Sequence, residues 1–173
     1  MTLVSVDPST TTWGVATWEL DDNFNIIDID SYTITIPKDI YIETRINIAY
    51  GMLSRHLERV LPYQLVHESG FLDRFRPMAY GPLSAAIFCL RNAFKNLYEL
   101  NDDVGIFQYP PKTVKASVMK GDADKDDMEI AVNSILELKP FLTGIESEHA
   151  IDAIAIGYTH IKNLRMYPEL LLL

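Results

Sequence analysis

One cysteine in 173 residues leaves no partner for an internal disulfide, and the chain fits a reducing compartment. That residue, Cys89, lies between Phe88 and Leu90 and reads as an inert core thiol. No apolar run approaches the ~20 residues needed to span a bilayer. The closing Leu170-Leu171-Leu172-Leu173 is far too short for an anchor. The first residues lack the basic start and long apolar core of a signal peptide, so none is expected. A basic surplus is missing as well: 15 Lys and Arg stand against 24 Asp and Glu, a net charge of −9. That argues against a nonspecific nucleic-acid binder, whose affinity rests on neutralising phosphates. Repeats, low-complexity tracts and linkers are absent, which leaves one domain over 1–173 with a substantial core.

The charge is unevenly spread. Acids crowd between Glu19 and Asp30, Glu99 and Asp103, and Asp122 and Glu129. Bases recur at Arg55, Arg59, Arg74, Arg76, Arg91 and Lys95, then at Lys112, Lys115, Lys120 and Lys125. A local basic surface is therefore compatible with the negative total.

The periodicity divides the chain in two. Leu3, Val4 and Val6 suit a buried strand, which Pro8 ends because it cannot donate to the ladder. A second strand is expected over 13–20 and a third over 26–36, where Tyr32, Ile34 and Ile36 alternate with threonines. Short turns make these three an antiparallel meander. From Ile42 the period changes: Ile46, Ala49, Leu53 and Leu57 mark a helix that Pro62 stops. Gln64 to Glu68 reads as a fourth strand, Pro82 to Leu100 as a long helix, and Val104 to Gln108 as a fifth strand. A short helix over Lys112–Lys120, one spanning Met128–Leu138, and a final one from an N-cap at Ser147 complete the pattern. The expected fold is α/β, a five-stranded mixed sheet with three antiparallel then two parallel strands, flanked by helices.

Acids stand at informative places on this frame. Asp7 ends the first strand, and by itself that stretch reads as a turn with Asp7 bonding its own backbone. Glu68 ends the fourth strand in the same way, and parallel neighbours would set both acids at one sheet edge. His149 and Asp152, three residues apart, share a face of the last helix. Asp152 alone could complement the helix dipole, although Glu148 is better placed to do so. Taken together, Asp7, Glu68, His149 and Asp152 read as one cluster. Clustered carboxylates raise one another's pKa unless a cation neutralises them. Hard oxygen donors favour Mg²⁺ or Mn²⁺. Two such ions roughly 3.5–4 Å apart would serve phosphodiester cleavage.

In order and spacing, the chain resembles the RuvC-type Holliday junction resolvases of the ribonuclease H-like superfamily. The matching pieces are Val4-Ser5-Val6-Asp7-Pro8-Ser9 with Gly14, Val66-His67-Glu68 with Phe71, the segment Lys112–Lys125, and Glu148-His149-Ala150-Ile151-Asp152 with the apolar run after it. The resemblance implies a metal-dependent endonuclease that cuts four-way DNA junctions in symmetric pairs of nicks. It implies a homodimer, Mg²⁺ or Mn²⁺ at two ions per site, and Asp7, Glu68, His149 and Asp152 as ligands. Neither a membrane nor a nucleotide cofactor is expected. His149 stands where the family usually has Asp, which removes a charge and bears on metal preference. Asp7-Pro8-Ser9 departs from the Asp-Pro-Gly of bacterial members and hints at a bacteriophage relative acting in a host cytoplasm.

For DNA contact, Phe71 matches an aromatic that stacks on bases, worth ~1–3 kcal/mol; packing of its loop onto the core is the alternative. Lys115 and Lys125 match phosphate-holding positions or else lie on a solvated face. Lys112 belongs to the same segment, and Arg74 and Arg76 are further phosphate candidates from their charge alone. A nuclease of this fold acting on flaps, forks or RNA–DNA hybrids, and a noncatalytic junction binder, remain open. A nucleotide-binding ATPase lacks its second glycine-rich loop here.

Overall fold

The computed structural model describes residues 1–70, 80–119, 125–145 and 147–172. Its centre is a five-stranded sheet in the order β3-β2-β1-β4-β5, formed by β1 (Thr2–Asp7), β2 (Thr12–Leu20), β3 (Ile26–Thr35), β4 (Gln64–Glu68) and β5 (Ile106–Tyr109). β1, β2 and β3 pair antiparallel, whereas β4 runs parallel to β1 and β5 parallel to β4. The expected mixed sheet is present.

Strand alternation sends each face to a different core. On β1, Val4 and Val6 join Trp13, Val15, Ile34 and Leu65 against α1 (Ile42–Val60) and α2 (Tyr80–Leu97). Leu3 turns the other way, with Trp18 and Val66, against the buried stripe of α5 (Glu148–Met166). α3 (Pro111–Val118) and α4 (Lys125–Ser134) pack beside α5 on that side. Full burial of such side chains stabilises by about 1.5–3 kcal/mol each, so both faces of β1 are strongly specified. The same alternation decides the site: Leu3, Ser5 and Asp7 share the α5 face, as do Gln64, Val66 and Glu68.

Several element ends differ from expectation, each for a local reason. β5 begins two residues late because Gly105, at φ +74°, makes the turn into it. α2 stops at Leu97, where Glu99 turns left-handed and the Leu100 amide closes back on the Lys95 carbonyl. α4 ends at Ser134, after which Ile135 and Leu138 make three-residue turns in place of a longer helix. Ser147 is the N-cap of α5, but its hydroxyl makes no capping bond. Cys89 is half-buried at the edge of the α1–α2 core, and its neighbour Phe88 faces water.

Candidate active site

Two strand ends and one helix start build the site. β1 and β4 pair in parallel with Val6 opposite His67, which brings Asp7 and Glu68, the next residues, side by side at the carboxyl edge. β2 contributes Gly14, paired with Asp7. The first turn of α5 crosses directly above it: a Cβ built on Gly14 would fall 1.7 Å from the His149 carbonyl oxygen. Only a bare α-carbon lets the helix come this close.

The approach brings His149 and Asp152 onto Asp7. Ligating atoms of Asp7, His149 and Asp152 all lie within 4.8 Å of one another, and each residue is half-buried. His149 Nδ1 donates to Asp7 Oδ2 at 2.7 Å. That hydrogen bond raises the His149 pKa; burial works against it, and the charges of Asp7, Glu148 and Asp152 reinforce it. Glu148 itself is exposed, its Oε1 4.0 Å from His149 Nε2.

Glu68 stands outside this tightest triplet yet shares its field. Burial, then the negative charges of Asp7 and Asp152, push its carboxyl up to about 8, with Lys115 pulling the other way. The site therefore holds more negative charge than it can ionise freely. A divalent cation fits this donor set of carboxylate oxygens and one imidazole.

The remaining expected residues are distributed unevenly. Lys115, one turn into α3, is half-buried and close enough to Glu68 to oppose its rise. Lys112 is exposed on the first turn of α3. Lys125 opens α4, and its side chain lies outside the described residues, as do Phe71, Arg74 and Arg76 altogether. Ser9 serves the turn: its Oγ accepts from the Thr12 amide at 2.9 Å and donates to the Thr12 carbonyl at 2.6 Å. His67, as its alternation predicts, faces away from Glu68, fully buried, with Nδ1 donating to the Glu68 carbonyl at 2.8 Å. His160 is locked between Tyr109 and Gln64. The close passage at Gly14 is the functional feature that periodicity missed; a glycine inside an apolar strand was its signal. A cavity of about 680 Å³ at the other end of the sheet, between Tyr63, Phe94, Tyr98 and Leu172, is lined, among the described residues, by no acid, histidine or cysteine.

Residues 3–160 match the family model described as crossover junction endodeoxyribonuclease RuvC. The chain is 24% identical over 169 residues to the RuvC of Chlamydia trachomatis serovar A, covering 97% of this chain and 95% of that one. It is 22% identical over 166 residues to the RuvC of a Wolbachia, covering 95% and 96%. Among solved structures, Thermus thermophilus RuvC in complex with Holliday junction substrate superposes with a TM-score of 0.77 at 21% identity, covering 96% of both chains. The fowlpox virus resolvase with its junction DNA gives 0.55 at 14% identity, covering 95% and 99%. These likenesses show the ribonuclease H-like fold. The model match spans nearly the whole chain and both acid-bearing strands, and the chain belongs to the RuvC family of crossover junction endodeoxyribonucleases.

Proposed function

We propose that this chain hydrolyses phosphodiesters at four-way DNA junctions as symmetric pairs of nicks, with Asp7, Glu68, His149 and Asp152 as its catalytic and metal-holding residues. One observation carries the reading: in a RuvC-family chain, four residues from two strand ends and a helix start converge on one charge-frustrated edge. Mg²⁺ or Mn²⁺, two ions per site, would supply charge neutralisation at the scissile phosphate and water activation. Asp7 and Asp152 would share a cation, with His149 and Glu68 beside them. His149 Nδ1 donates to Asp7 and so fixes the orientation of its ring. Lys115 stands where it would hold a phosphate beside Glu68, and Lys112, Lys125, Phe71, Arg74 and Arg76 extend the proposed DNA surface.

Paired nicks need two sites, so the proposal includes a homodimer of a single unit spanning 1–173. Exposed Ile48 and Met52 on α1 and Phe88 on α2 support a second copy against these helices. The proposed setting is a cytoplasm; among the described residues no helix is long and apolar enough to cross a membrane. Bacteriophage origin gains no support, because the curated relatives above are bacterial.

The test compares wild type with Asp7→Asn, Glu68→Gln and Asp152→Asn on synthetic four-way junctions in Mg²⁺ and in Mn²⁺. Cleavage by wild type and its loss in all three variants is expected. Cleavage surviving in Asp7→Asn and Asp152→Asn would overturn the site. Faster cutting of flaps, forks or RNA–DNA hybrids than of junctions would reassign the substrate, and junction binding without cutting in either metal would make the chain a noncatalytic binder.

A further inference from the structure

A buried hydrogen bond joins the two elements that carry the acids. Ser5 precedes Asp7 by two residues on β1, on the same face; Ala153 directly follows Asp152 on α5. The Ser5 hydroxyl donates to the Ala153 carbonyl at 2.7 Å, and both residues are fully buried. Trp18, on β2, donates its Nε1–H to that same hydroxyl at 2.9 Å. The indole thus occupies an acceptor position on Ser5, and of the two carbonyls in reach of the hydroxyl that of Ala153 is much nearer than that of Ala16, at 3.5 Å. Gly157, one turn beyond Ala153, makes the room. A Cβ there would fall 2.3 Å from Trp18 Nε1 and 2.6 Å from Ser5 Oγ. The helix therefore touches the sheet at two bare α-carbons, Gly14 on the strand side and Gly157 on the helix side, with the Ser5–Trp18 pair at the second.

Near the acids the surrounding face is apolar, with Leu3, Ala16 and Val66 among its members; a second polar tie, His160 Nε2 to Gln64 Oε1 at 2.9 Å, lies two turns further along α5. Apolar burial holds a helix against a sheet but is non-directional, so it leaves sliding along the helix axis weakly opposed. A short, directed hydrogen bond opposes it. Placing a hydroxyl and an indole N–H in such a face is unfavourable unless they are paired, and here they pair with each other and with the residue after Asp152.

We propose that Ser5, oriented by Trp18, is a positioning residue that sets the height and axial register of the first turns of α5 over β1, and with them the spacing of Asp7 and Asp152, which would together hold a divalent cation. This rests on the reading above that Asp7 and Asp152 share a cation. Mg²⁺ demands near-ideal octahedral geometry, so small slippage of α5 translates directly into weaker binding.

Mn²⁺ binding to the full chain without DNA, followed by the paramagnetic resonance of the free ion, tests this apart from activity. Ser5→Ala is expected to weaken binding about tenfold, within the range for groups that orient metal ligands. Trp18→Phe, which keeps the hydroxyl but removes the N–H that orients it, weakens it in the same direction by less. Ile34→Val, trimmed in the opposite core, binds as wild type and controls for lost stability; Asp152→Asn loses binding. If Ser5→Ala fails to fold, Trp18→Phe decides. Wild-type affinity in both Ser5→Ala and Trp18→Phe, or equal weakening by Ile34→Val, overturns the positioning role while leaving the site intact. Equal binding by wild type and Asp152→Asn overturns the shared-cation reading and this proposal with it.

Discussion

The α-carbon of Gly14 lies directly beneath the carbonyl of His149, so near that the smallest side chain would occupy the place of the oxygen. The contact is backbone against backbone, and no rotamer change relieves it. Gly14→Ala is expected to lift the first turn of α5 and draw His149 and Asp152 away from Asp7. Displacement of reacting groups by about 1 Å costs on the order of a hundredfold in rate, and junction cleavage should fall by at least that factor. Unchanged cleavage would mean that α5 does not need this approach.

The costly acid of the cation-free site is Glu68. Asp7 accepts a hydrogen bond from His149, whereas Glu68 is driven up to about 8 from an ordinary 4.5. The folded state then binds more protons than the unfolded one between these values, so stability falls as pH rises from 4.5 towards 8. At pH 7 the penalty is on the order of 3 kcal/mol. In chelator, Glu68→Gln should melt higher than wild type and Asp7→Asn should not. Thermal melts across pH 5–8 check both, and a lower melting temperature for Glu68→Gln contradicts the assignment.

Adding Mg²⁺ or Mn²⁺ should reverse that penalty. A cation bound only by the folded state stabilises it by about 2.7 kcal/mol at a hundred times its dissociation constant. The melting temperature should therefore climb with metal concentration in wild type and stay flat in Asp152→Asn. A flat response in wild type would remove the case for a bound cation.

His160 gives an acid limb independent of the site. Burial holds its pKa down at about 4, and its ring nitrogens contact Tyr109 and Gln64. Its folded pKa lies below the unfolded value of about 6.5. Its contribution is therefore complete above 6.5 and lost as pH falls towards 4, on the order of 3 kcal/mol in all. Denaturant midpoints for His160→Gln should fall less steeply over this window than those for wild type. Parallel curves would show that His160 titrates normally.

Lys115 opposes the rise of Glu68. Its replacement by Ala should weaken junction binding to a similar extent across sequences and reduce the slope of log affinity against log salt by about one. A loss confined to certain junction sequences would instead point to base contact.

What was legible in the sequence follows from period and position. Alternation in β1 and β4 put Asp7 and Glu68 on one face and His67 on the other, because the pleat reverses at every residue. The three-residue spacing of His149 and Asp152 put both on one side of α5. The buried face of α5 was legible for the same reason. Element ends were less so: α4 and α2 stop where backbone turns compete with a continuing apolar pattern, and nothing in side-chain period reports that competition.

The sequence by itself determined the mixed sheet, the strand-end acids and the helix that answers them, since these depend on local period and on the length of the crossovers. Tertiary structure alone decided how near the parts come. Gly14 and Gly157 become close passages only once α5 is laid across β1 and β2, and His149 becomes the partner of Asp7 only through that approach. Glu68 is the residue left with excess charge because burial and the fields of Asp7 and Asp152 act through space, between groups that lie far apart along the chain.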